Sequence, residues 1–73
     1  MNKAKNTDAT DLKNRAQKAM LEFAQRGLKP KDIEQKLNGM ISWRTLYRWQ
    51  NGEITPKRPY DVIALENLLN RTK

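Results

Sequence analysis

The sequence predicts an all-α fold, a compact bundle of four or five short helices, and three observations carry that expectation. Apolar residues recur at helical spacing in four separate stretches. Glycine or proline stands at the boundaries between those stretches. No stretch alternates apolar and polar residues as a half-buried strand would, and there is no repeat or low-complexity tract. A chain of 73 residues makes one domain, and at this size only about 60% of the unfolded surface is buried, so the core is small.

The first eight residues are polar, carry Lys3 and Lys5, and read as a flexible basic tail. A plain leader and a basic arm that touches phosphate or a minor groove both fit them. The first helix is expected from residue 9 or 11 to residue 26. Asp8, Thr10 and Asp11 supply caps and negative charge at its start, and Arg26 with Gly27 ends it. Leu12, Ala16, Ala19, Met20 and Phe23 form its one narrow apolar face. The second helix opens at Pro30 and runs to 37 or 38, with Ile33 and Leu37 as its only strong apolar residues. Lys29 and Lys31 flank its positive end, where a phosphate oxygen could sit; a solvated pair of lysines is the plainer reading. A turn over residues 38–41 follows, with Gly39 suited to a left-handed conformation and Ile41 plugging the corner between helices.

The third helix spans 43–50, capped by Ser42 and stopped by Gly52 after Asn51. A loop over 53–58, held down by Ile54 and shaped by Pro56, carries Lys57 and Arg58. The fourth helix opens at Pro59 and runs to about residue 70, leaving 71–73 as a C-terminal tail. Val62, Ala64, Leu65, Leu68 and Leu69 make a wide apolar arc. Tyr60 and Ile63 lie outside it, which suggests either a partner subunit or two singly exposed residues.

Composition narrows the function. Fifteen Lys+Arg against eight Asp+Glu give a net charge of +7, and there is no cysteine or histidine. That charge favours a polyanionic partner, duplex DNA before RNA or an anionic membrane, over mere solubility. Without His or Cys, the usual nucleophile–base pairs and thiolate or imidazole metal sites are lacking. No P-loop or Gly-x-Gly-x-x-Gly is present, and Asp32 and Glu34 read as ordinary surface charge. The chain is therefore expected not to be an enzyme, and to need no metal or cofactor. No apolar run approaches the roughly 18 residues of a membrane span, and the N-terminus lacks the apolar centre of a signal peptide. A cytoplasmic, nucleoid-associated protein is expected.

The third helix carries the chemistry. Leu46 and Trp49 share one face and should pack on Ile33, Leu37 and the first helix. The opposite face presents Trp43, Arg44, Tyr47, Arg48 and Asn51. An arginine fork matches guanine O6 and N7, and Tyr and Trp offer flat bodies for thymine methyls or sugars. Ser42 and Thr45 add hydroxyls near the N-terminal end, from which a helix reads bases in the major groove. Trp43 has two readings: contact with DNA, or a staple folded back on the core.

Ile33 and Leu37, a Gly-containing turn, Ile41-Ser42, Thr45-Leu46, Trp49 and Asn51-Gly52 resemble the helix-turn-helix of Cro and repressor-type regulators. Pro56 or Pro59 and then Ile63-Ala64-Leu65 and Leu68-Leu69 are similar to the helix that follows in that family. The resemblance covers residues 28–69. It implies a sequence-specific DNA-binding transcriptional regulator, a small phage or prophage Cro-like repressor that acts by occupying its operator. Ser42, Trp43, Arg44, Tyr47, Arg48 and Asn51 would face the bases. Lys29, Lys31, Thr45, Lys57 and Arg58 would meet phosphates. Two positions depart from the pattern: the turn between Leu37 and Ile41 is about two residues longer, and Glu34 stands where the family usually has alanine. Both bear on how closely the second helix packs on the third. Because one such unit reads few base pairs, a homodimer on half-sites about 34 Å apart is expected, with Tyr60 and Ile63 at its interface.

The string Arg44-Thr45-Leu46-Tyr47-Arg48-Trp49 also resembles the first helices of excisionase and MerR-like domains, which place a strand hairpin next. Residues 53–57 are short and proline-bounded for that. A helical protein-interaction adaptor using Tyr60 and Ile63 is a further alternative. Lipid binding by the alanine-rich first helix, and single-stranded RNA binding without a sheet of aromatics, fit less well.

Overall fold

In the computed structural model, which describes residues 9–72, four helices follow one another: α1 (Ala9–Gln25), α2 (Pro30–Lys36), α3 (Trp43–Gln50) and α4 (Pro59–Arg71). There is no fifth helix and no strand among the described residues. The eight-residue basic tail, with Asp8 at its end, lies outside them.

The helix boundaries follow local chemistry. Pro30 and Pro59 occupy the first turns of α2 and α4, where a missing N–H costs nothing. Ser42 Oγ accepts the Arg44 N–H at 3.1 Å and caps α3. Asp32, expected to be plain surface charge, instead accepts the Lys29 N–H at 2.9 Å and closes the first turn of α2.

The first three helices end alike. Leu28 N–H donates to Phe23 O at 3.0 Å, Gly39 N–H to Glu34 O at 2.9 Å and Glu53 N–H to Arg48 O at 2.9 Å. Each bond spans a residue of positive φ: Gly27, Asn38 and Gly52. This is the six-to-one closure that satisfies the last carbonyls of a helix. The 38–41 turn differs from expectation here, since Asn38 (φ 56°) and Gly39 (φ 78°) are both left-handed. Two consecutive left-handed residues are what the longer turn uses to redirect the chain, and Asn tolerates that region better than other side chains.

The core gathers Leu12, Ala16, Ala19, Met20 and Phe23 of α1 with Ile33, Leu37, Ile41, Leu46, Trp49, Val62, Leu65 and Leu68. No polar or charged residue is buried with them among the described residues. Ile41 fills the corner between α2 and α3, as its position predicts. Helix α1 packs on both α3 and α4, and α2 packs on α3. Helices α2 and α3 are thus in contact across the 38–41 turn, and Glu34 is half-buried. Leu28 and Leu69 seal the core from outside, and Ala64 is half-buried, so the α4 arc is narrower than its composition suggests.

Two arginines tie the ends of the bundle together. Arg15 on α1 makes a two-pronged bond to Glu66 on α4, Nε to Oε2 at 3.0 Å and Nη2 to Oε1 at 2.6 Å, and Nη1 reaches Asp11 at 3.3 Å. Arg26 was expected as the last-turn cation of α1. That helix ends at Gln25, and Arg26 Nη1 donates instead to Leu69 O at 3.0 Å and Thr72 Oγ1 at 3.3 Å, satisfying the end of α4. Residues 71 and 72 are thus part of the folded unit rather than a tail.

Candidate nucleic-acid interface

Helix α3 is sorted by its two buried residues. Leu46 and Trp49 pack inward, and rotation around the helix then puts Arg44, Tyr47, Arg48 and Asn51 on the outward face, all exposed. Tyr47 keeps about half of its surface open, 49%. These four outward residues are therefore carried by one helix, held by one buried edge.

Trp43 bears on one of its two readings, the staple folded back on the core. It is not part of the core. It lies half-buried at the α2–α3 junction, with Lys31 Nζ 5.2 Å and Arg44 Cζ 5.6 Å from the ring centroid. At those distances both cations are attracted to the indole face. The ring thus links a residue expected at phosphate with one expected at a base.

The other expected residues fall on the two flanks. Thr45 turns away from the outward face and lines a cleft with Trp49, Ile54, Thr55, Pro56, Lys57, Arg58 and Asp61. That cleft unites three residues expected at phosphate, Thr45, Lys57 and Arg58. Arg58 Nε is 3.6 Å from Asp61 Oδ2, so its charge is partly answered from within α4. On the opposite flank stand Lys31 and Lys29. The Lys29 N–H is already bonded to Asp32, which places the chain's own carboxylate at the start of α2. Ser42 is exposed, but its Oγ is engaged as the α3 cap. Tyr60 and Ile63 sit on the outward side of α4, 81% and 41% exposed, and line neither flank of α3.

Glu53 was not anticipated here. It lines the groove formed by Trp43, Arg44, Tyr47 and Arg48, and its Oε2 accepts from Asn51 Nδ2 at 3.3 Å. The signal was available in sequence: a helix that stops on Gly52 turns the next residue back over its own last turn. Leu21 and Met40, 46% and 63% exposed, were likewise not singled out.

Chemically the outward face can donate hydrogen bonds, stack and attract anions. Arg44 and Arg48 form no salt bridge among the described residues. No cluster of three His, Cys, Asp or Glu that could hold a metal occurs among the described residues, and no helix there is long and apolar enough to cross a membrane. No protein-family model, curated protein or solved structure matches the chain.

Proposed function

We propose that the protein is a sequence-specific duplex DNA-binding regulator in which α2, the 38–41 turn and α3 act as a helix-turn-helix. The observation that carries this reading is the outward face of α3: two arginines without carboxylate partners among the described residues, interleaved with Tyr47 and bordered by Trp43. In the proposed complex α3 enters the major groove by its N-terminal end. Arg44 and Arg48 meet guanine edges, and Tyr47 meets a thymine methyl or sugar. Thr45, Lys57 and Arg58 hold phosphates on one side of the groove, and Lys31 with Lys29 on the other. Regulation is by occupancy: a bound copy excludes polymerase or a competing regulator. Two copies, joined through the outward face of α4 at Tyr60 and Ile63, would bind paired half-sites.

Selection of bound sequences from a random duplex pool tests the reading. A recovered motif with two-fold symmetry is expected. A pool that fails to converge, with binding that competes equally well with single strands, removes it.

A further inference from the structure

The outward face of α3 contains one acid among its donors. Glu53 is not a loose loop residue. Its N–H is bonded to Arg48 O at 2.9 Å, and Gly52 at φ 73° sets the turn that brings it there. Its carboxylate is exposed, held by the Asn51 amide at 3.3 Å, and shares one groove with Trp43, Arg44, Tyr47 and Arg48. Neither arginine forms a salt bridge with it. The acid thus shares a groove with the cations and forms an ion pair with neither.

A carboxylate can only accept hydrogen bonds, and the phosphate oxygens that line a DNA groove repel it. It is compatible with a duplex where it meets a donor on a base edge. In the major groove the donors are exocyclic amino groups, and the carboxylate's usual match is N4 of cytosine. Arg44 and Arg48 beside it require acceptors. The groove therefore pairs demands of opposite sign, and a sequence must satisfy both.

Resting on the duplex-reading proposal above, we propose that Glu53 is a specificity-determining residue that selects one C·G pair by accepting from cytosine N4. Its charge weakens binding to duplexes that present no amino group there. The net result is lower affinity for random DNA and higher discrimination.

The test compares the full chain with Glu53→Ala and with the near-isosteric Glu53→Gln on the selected duplex. It also uses a set of duplexes in which each base pair is replaced in turn. Wild type should lose roughly tenfold or more at one C·G pair. Glu53→Ala should lose less than twofold at that pair and bind random duplex several-fold more tightly than wild type, whereas Glu53→Gln, whose amide oxygen still accepts, should keep part of the discrimination. Variants that shift affinity for every duplex by the same factor overturn the inference. Discrimination that vanishes at an A·T pair instead overturns the cytosine assignment. If wild type itself selects no sequence, the duplex-reading proposal fails, and Glu53 falls with it. If wild type is selective and Glu53→Ala keeps its profile, the Glu53 inference alone fails.

Discussion

Arg15 and Arg44 are the same residue type on packed helices, and the molecule uses them in opposite ways. Arg15, in the α1–α4 seam, is gripped by both oxygens of Glu66 and by Asp11. Hydrogen bonding to Glu66, with smaller help from Asp11, holds its guanidinium above the ordinary arginine value. Arg44, on the outward face of α3, has an indole ring 5.6 Å away and no salt bridge among the described residues. One cation is spent inside the fold, joining residues 51 positions apart. The other has no acidic partner among the described residues and rests beside an indole ring. The same contrast divides the acids: Glu66 neutralises an arginine, whereas Glu53 stands beside two and neutralises neither.

The comparison can be broken at the core the two regions share. Leu46 is fully buried beneath the outward face of α3. Leu46→Ala should cost about 2–5 kcal/mol in urea or thermal melts, a large share of a small domain's stability. Duplex affinity should fall only in step with the folded fraction. Affinity that drops while the protein remains folded would mean that the core shapes the reading face directly.

A smaller change sharpens the contrast. Arg15 and Glu66 keep about a third of their side-chain surface exposed, 32% and 33%, so solvent screens the pair. Arg15→Ala should therefore cost only about 1 kcal/mol in stability, with duplex binding at low temperature unchanged. A greater loss of binding than of stability would place Arg15 on the DNA side of the molecule.

How much of this was legible in the sequence depended on the range of the interaction. Helix α3 was fully legible, because its serine cap, its glycine stop and the Leu46–Trp49 spacing are all local. The α1 core face was legible for the same reason, from the recurrence of Leu12 through Phe23. The outward residues of α3 followed once its buried edge was known. What could not be read was pairing across the fold. Arg15 meets Glu66, and Arg26 meets the end of α4, only because α1 and α4 pack side by side; no local pattern encodes that partner. Trp43 was undecided because its environment depends on where α2 places Lys31. The left-handed Asn38 has no local signal of its own, because glycine is the usual left-handed residue and here a glycine follows it. Glu53 was counted with the loop, although its backbone closes α3.

The central claim is that Arg44 and Arg48 of α3, which form no salt bridge among the described residues, read base sequence. Its most direct measurement is a titration of the selected duplex, and of a random duplex, with wild type, Arg44→Ala and the double variant Arg44→Ala, Arg48→Ala. Arg44→Ala should lose about 1–3 kcal/mol of affinity mainly on the selected duplex, the double variant more, with melts unchanged. Equal losses on selected and random DNA, or full binding by the double variant, would contradict it.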